Sequence, residues 1–557
     1  MKKHFTLLFL IFLFQGYAVA QSKITKEDLA TAQKLTGIEF TDAERDSMTA
    51  EVMDNLLSQK AVQSQHLDNW VTPALYFDPI PTDFRPRYMT MKAGVKNDWD
   101  IPKNVELPKN KADLAFYSIR QLAGLIKYKK ITSVELTQFF IERLKRYGDT
   151  LQCVISLQEE RALAQAKQAD AEIAKKKYRG ILHGIPYGIK DLLAVKGTKT
   201  TWGAAPYKNQ TIDQTATVVE NLDKAGAVMV VKLTLGALAM GDIWYGGKTK
   251  NPWNLQRGSS GSSAGSASAV VAGLIPFAIG SETLGSIVSP STECGATGLR
   301  PTFGRVSRYG AMTLCWSLDK LGPLTRYAED AAIVLDAIRG DQYGNVNEKD
   351  KTVKTNMPFM WNKVRPINTM KIGYPKALFD TMNRERPEWL TLKTLETLGA
   401  KLIPMDFTTT VPSKIIDIIL IGECAAAFDE LTRTNLDDEL TVQSKNAWPN
   451  NFRAARFLTA VDYVNANRLR TKMIEEINAI ISAYDAIVTT NFGLNQLQIT
   501  NLTGHPVVVV PNGFRDNRPL SITFLGNYFD EATLLKLAKA YQDATDFDEQ
   551  HPPLFKN

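Results

Sequence analysis

The chain is poor in cysteine and histidine and carries no strong excess of either charge. Only Cys153, Cys294, Cys315 and Cys424 occur among 557 residues. None lies close to another, so the spacing implies neither a zinc site nor a dense disulfide framework. Buried free thiols are the expectation, with a single bridge as the alternative. The formal charge of +7 falls to +5 once Lys2 and Lys3 are set aside, and the longest basic run is Lys175-Lys176-Lys177. Such a balance leaves no nucleic-acid footprint. There is no internal repeat, low-complexity tract or heptad run. Beyond the first twenty residues no stretch approaches the roughly 18 apolar residues of a membrane span. No motif calls for a metal, nucleotide or flavin, so no cofactor is expected.

What is present begins at the N-terminus. Lys2-Lys3-His4 precede the apolar run Phe5–Phe14, and Ala18-Val19-Ala20 supply a small-x-small cleavage pattern. Residues 1–20 therefore read as a secretory signal peptide, too short to span. The expected mature chain starts near Gln21, lies in the periplasm or outside the cell, and has no membrane span. Residues 21–112 read as a helical extension and arm, with helical spacing over Ile24–Leu57 and a proline-rich stretch over Trp70–Pro108.

From Asp113 the texture becomes alternating helices and apolar strands. Thr132-Ser133-Val134-Glu135 is a capping box, with Ile131 placed to staple onto Leu136 and Gly148 following the helix end. Glu160–Lys177 reads as a second helix stopped by Gly180. Ala227–Val231, Leu274–Ile279, Ala486–Val488 and Val507–Val510 have the length and punctuation of strands. The expected fold class is α/β: a central mixed, largely parallel β-sheet covered by helices over 113–557.

Three segments carry chemistry. Gly258–Ser268 reads GSSGSSAGSAS, only Gly, Ser and Ala. A flexible linker is one reading, but an apolar run follows at once, which suits a loop packed closely against a ligand. Gly280-Ser281-Glu282-Thr283-Leu284-Gly285-Ser286 leaves the end of that run. Its backbone N–H groups could hold an oxyanion. A serine nucleophile needs a base. Gly261-Ser262-Ser263-Ala264-Gly265 matches a G-x-S-x-G elbow with His505 downstream, but an elbow must follow a strand. Asn251–Arg257 does not read as one. The other candidate base is Lys190 in Gly184-Ile185-Pro186-Tyr187-Gly188-Ile189-Lys190-Asp191-Leu192-Leu193. Burial among Ile189, Leu192 and Leu193 would lower its pKa and make it basic in function.

Together GIPYGIKD, GSSGSSAGS and GSETLGSIVSPSTECGATGLRPTFGRVSRYG resemble the amidase signature family. Supporting matches lie in Lys232–Asn254, Ser317–Pro323 and Thr500–Phe514. The resemblance runs from about Asp113 to Pro553. It implies an amidase that cleaves a carboxamide C–N bond through a serine–serine–lysine triad and an acyl-enzyme. Carried over by position, it places the catalytic lysine at Lys190, the bridging serine at Ser262 beside a cis peptide bond, and the nucleophile at Ser286. It assigns the oxyanion hole to the amides of Thr283, Leu284, Gly285 and Ser286, and substrate contacts to Met240, Gly241 and Ser263. It implies a small-molecule amide substrate, and favours a homodimer. Pocket walls are expected from the N-terminal arm, Ala237–Tyr245 and Asp330–Asp462.

The pattern departs from the commoner one at several positions. Glu282 stands for Asp, Leu284 and Ala264 for Gly, Val288 for a frequent Arg and Ala237 for a frequent Glu. Leu284 is expected to narrow the oxyanion loop. Two alternatives follow from the same resemblance: a glutaminase subunit of a tRNA-dependent amidotransferase, or a binding protein of this fold in which Leu284 blocks turnover. A leader peptide opposes the first, and Val288 fits poorly with binding of a free carboxylate.

Overall fold

The computed structural model describes residues 24–81, 84, 97–339, 348–354 and 357–556. The leader expected over 1–20 lies outside them. Among the described residues no helix is long and apolar enough to cross a membrane.

The chain divides into two compact units, Met1–Leu67 and Asp68–Asn557. In the first, helices Lys26–Thr36 and Asp42–Gln63 are each opened by a capping box, Thr25 with Asp28 and Thr41 with Glu44. Each box satisfies orphan N–H donors of the first turn. The described residues of the proline-rich arm belong to the second unit.

The second unit is built on an eleven-stranded sheet. In chain order its strands are β1 (Val154–Leu157), β2 (Pro186–Lys190), β3 (Val228–Leu233), β4 (Ala278–Glu282), β5 (Thr297–Arg300), β6 (Lys320–Thr325), β7 (Lys371–Pro375), β8 (Lys401–Met405), β9 (Ala486–Thr489), β10 (Val507–Arg515) and β11 (Arg518–Gly526). Their spatial order is β1-β3-β2-β4-β6-β5-β10-β11-β9-β7-β8. The sheet is mixed, as expected, but its parallel pairs are confined to two patches, β3-β2-β4 and β9-β7-β8. The intervening neighbours and β1-β3 are antiparallel. Hairpins such as β10–β11 supply those pairs, and hydrophobic period alone does not reveal direction. Strands β2, β3 and β4 are buried at every position, which is why they read as continuous apolar runs.

Several local expectations are corrected. The helix opened by Thr132 runs Ser133–Leu151 and is closed by Gln152 in the left-handed conformation, so Gly148 lies inside it. A Cβ on Gly148 would stand 2.9 Å from Val154 Cγ2, so close packing against β1 accounts for the glycine. The second helix is shorter at its C-terminus than expected, ending at Ala174. The run Leu274–Ile279 is irregular up to Phe277, and β4 starts only at Ala278. The Gly/Ser/Ala stretch is a loop only to Ser263; Ala264–Val271 is a wholly buried helix. Asn254–Gly258 does form a strand, paired antiparallel with Lys250–Asn251 in a separate two-stranded ribbon.

Candidate active site

Lys190 is the last residue of β2 and is fully buried. Its neighbour Asp191 is equally buried and pairs with Lys232 of β3 at 2.8 Å. The other Asp191 oxygen accepts from the N–H and hydroxyl of Thr201. Asp191 thus ties β2 to β3 and points Lys190 to the other face, since successive strand side chains alternate.

There the Lys190 amine meets three hydroxyls. Its Nζ lies 2.8 Å from Ser262 Oγ, 2.8 Å from Ser281 Oγ and 3.1 Å from Ser263 Oγ. Burial pulls its pKa well below the ordinary lysine value, with Asp319 and Glu282 pulling the other way. Desolvation disfavours the ammonium, and hydroxyls do not neutralise it as a contacting carboxylate would. Ser262 follows a cis Gly261–Ser262 peptide bond. A Cβ on Gly261 would collide with the carbonyl of Gly241, so the two glycine segments lie in direct contact.

Ser286 reaches this cluster through the backbone: the Ser263 N–H donates to the Ser286 carbonyl at 3.0 Å. Ser286 is nearly buried, 7% exposed, in the turn between β4 and the helix Val288–Cys294. That turn is shaped by Glu282. One carboxylate oxygen accepts the N–H groups of Ile287 and Val288, both at 2.9 Å. The other accepts from Arg300 at 2.8 Å and Asn501 at 2.9 Å. Burial alone would raise the Glu282 pKa, but Arg300 and the Val288 N–H outweigh it and hold the group at about 2. Gly285 adopts φ +87, and the N–H groups of Leu284, Gly285 and Ser286 have no acceptor among the described residues. Unpaired donors on successive residues of one turn suit a developing oxyanion. Leu284 is half-buried and packs on the apolar cluster that includes Val288 and Leu497.

A cleft opens beside this turn, with Ser281 and Thr283 in its wall. The Thr283 hydroxyl donates to Asp319 at 2.6 Å, and Asp319 also accepts the N–H groups of Leu314 and Cys315. Of the expected substrate contacts, Ser263 is in the lysine cluster. Met240 and Gly241 lie one and two residues beyond Ala239, which lines the cleft. Residues from the arm (Trp70, Thr72) and Ala239 do contribute to the wall. Arg308–Leu314 forms much of the rest.

Three features escaped the sequence reading. Ser281 is a third hydroxyl on Lys190; it stands one place before Glu282 in a motif read mainly for its amides. Glu282 is the organiser of the turn, and its distance from Arg300 and Asn501 in the chain hid their convergence. Lys320, directly opposite Glu282 across β4–β6, is buried with no hydrogen-bond partner for its amine among the described residues. Its position after Asp319 in the Ser317–Pro323 segment was the only cue. The four cysteines are all buried free thiols.

Known proteins share the sequence pattern and the fold of this chain. A family model described as Amidase matches residues 135–499. The A-type subunit of glutamyl-tRNA(Gln) amidotransferase from Coxiella burnetii (strain Dugway 5J108-111) is 35% identical over 485 residues, covering 78% of this chain and 99% of the relative. The protein of the same name from Bacillus velezensis is 33% identical over 483 residues, covering 79% and 99%. Among solved structures, native peptide amidase from Stenotrophomonas maltophilia superposes with a TM-score of 0.68 at 26% identity, covering 80% of this chain and all of that one. The corresponding amidotransferase protein of Thermotoga maritima gives 0.62 at 27%, covering 77% and 95%.

Proposed function

Because the chain belongs to the amidase family, enzymes that hydrolyse C–N amide bonds, we propose that it does so with Ser286 as nucleophile, Ser262 as proton relay and Lys190 as base. The observation that carries this reading is the buried Lys190 amine held 2.8 Å from Ser262 Oγ. A neutral amine has two N–H donors and one lone pair, so three surrounding hydroxyls cannot all accept from it. The Ser263 hydroxyl hydrogen is already donated to the Ser281 carbonyl at 3.0 Å. At least one of Ser262 and Ser281 must then aim its proton at the amine. In this reading Ser262 is the hydroxyl that relays it. Lys190 takes a proton from Ser262 as Ser262 takes one from Ser286, and Ser286 Oγ bonds to the amide carbon. The oxyanion is held by the Leu284–Ser286 amides. The proton returns through Ser262 to the leaving nitrogen as the C–N bond breaks, and water then hydrolyses the acyl-serine.

We further propose that the protein is exported, because Lys2-Lys3, Phe5–Phe14 and Ala18-Val19-Ala20 form a leader. Detection of Gln21, or its cyclised form, at the N-terminus of exported protein supports this; soluble protein with an intact Met1 opposes it.

The second reading, a glutaminase component of a larger complex, is favoured by the likeness to amidotransferase subunits. Against it, Val288 is buried in an apolar cluster, and Arg308 in the cleft wall is engaged by both carboxylate oxygens of Asp350. Neither offers an uncommitted cation for an α-carboxylate. Hydrolysis of a small amide panel that includes glutamine, together with labelling by a serine-directed phosphonate, tests both readings. Turnover of neutral amides with the label on Ser286 supports the first. Turnover of glutamine alone supports the second, and no label with no turnover overturns both.

A further inference from the structure

The segment Asn69–Pro79 precedes the region matched by the family model, yet two of its residues, Trp70 and Thr72, line the cleft bordered by Ser281 and Thr283. Asn69, nine-tenths buried, makes a reciprocal pair with the backbone of Thr313: its amide donates to the carbonyl at 2.8 Å and its oxygen accepts the N–H at 2.6 Å. Further along, the Arg470 guanidinium lies 3.3 Å from the centre of the Phe77 ring. Phe77 also meets Phe303 edge-on at 5.0 Å. Arg470 is fixed in turn by the carbonyls of Ser317 and Leu502. Both ends of the segment are therefore anchored to the catalytic unit, and Trp70 and Thr72 between them face the cleft that contains Ser281 and Thr283. A tryptophan held by its flanks presents a large apolar surface at little conformational cost.

The rest of the wall states what that surface can receive. Leu192, Tyr309, Met312, Leu314 and Trp316 are apolar or aromatic. The charges among them are committed: Arg308 to Asp350, and Asp319 to Thr283 and two backbone N–H groups. Lys349 stands exposed at the rim with its amine over the Tyr309 ring.

We propose that Trp70 is a specificity-determining residue of this cleft, and that it packs against an uncharged aromatic body of the amide substrate. This rests on the amidase reading above. The test compares benzamide, acetanilide and acetamide on the wild-type protein, Trp70→Ala and Trp70→Phe. The two aryl amides place the ring on the acyl or the amine side. Trp70→Ala should lower kcat/KM for at least one of them by about tenfold, mainly through KM, while acetamide changes by less than about twofold. Trp70→Phe should restore most of the loss. If Ser286 is labelled and acetamide is hydrolysed, but aryl and small amides respond alike, the wall proposal falls and the amidase reading stands. Equilibrium binding of benzamide and acetanilide to Ser286→Ala, with and without Trp70→Ala, reads the wall apart from turnover. Unchanged affinity for both in that experiment overturns the proposal even if no amide is hydrolysed.

Discussion

The Ser263 hydroxyl is closed onto Ser281: it donates to the Ser281 carbonyl at 3.0 Å and accepts the Ser281 N–H at 3.1 Å. Its proton and one lone pair are both engaged, and a Cβ on Gly280 would stand 2.8 Å from it. A hydroxyl so confined is a strut between the Gly/Ser loop and β4, not a free nucleophile. Ser286→Ala should therefore abolish covalent labelling and turnover, while Ser263→Ala should lower turnover but leave the label on Ser286. Peptide mapping after phosphonate treatment decides it. A label on Ser263 would restore the nucleophile-elbow interpretation.

In the sequence that interpretation fails for want of a strand before Ser263, yet the structure does place one at Asn254–Gly258. The strand lies in a two-stranded ribbon outside the central sheet, so it does not present a serine at a sheet edge as an elbow requires. The roles suggested by the motifs involve residues that the fold gathers around Lys190 and the Ser286 turn, because each motif is local: a buried strand end, a small-residue loop, a glycine-bearing turn. The partners contributed by distant segments were not legible. Nothing near Glu282 in the chain announces Arg300 or Asn501, and although the arm is expected among the pocket walls, nothing in its residues singles out Trp70.

Glu282 yields the second prediction. Its carboxylate holds the start of the Val288–Cys294 helix on one side and Arg300 on the other. Glu282→Gln replaces an acceptor with an amide that must turn a donor toward either Arg300 or the helix N–H groups. Removing one partner of a buried pair typically costs about 3–5 kcal/mol. Thermal unfolding should show that loss, and turnover should fall by about a hundredfold through displacement of the turn. Unchanged stability and activity together would show that the turn is held by other means.

Gly285 yields the third. At φ +87 an L-residue is strained, and a Cβ would approach Ser289 Oγ to 2.9 Å and Leu497 Cδ2 to 3.1 Å. Gly285→Ala should destabilise the fold by about 1–2 kcal/mol. It should depress kcat more than KM, since the amides it displaces act on the oxyanion rather than the ground state. Steady-state kinetics with one amide separates the two effects.

The last prediction concerns the base. Burial holds the Lys190 pKa well below its ordinary value, and the working form is the neutral amine. Activity should therefore rise with pH as Lys190 loses its proton, through the depressed pKa rather than near the ordinary lysine value of about 10.4. The sign for stability is the same. Between the folded and unfolded pKa values the unfolded chain binds the extra proton, so stability rises with pH across that window. Lys190→Met should flatten that part of the profile. Lys190→Ala should lower turnover by several orders of magnitude, because base and relay act as one unit. Lys190→Arg should do nearly as much harm, since a guanidinium does not deprotonate here. The buried histidines are occupied elsewhere. His183 Nδ1 accepts the Arg179 N–H at 3.0 Å, and His505 lies beside the Thr503 hydroxyl, stacked on Tyr528. His183→Asn and His505→Gln should keep most of the turnover in whatever fraction remains folded, measured by active-site titration. A dead but folded histidine variant alongside an active Lys190→Ala would reassign the base.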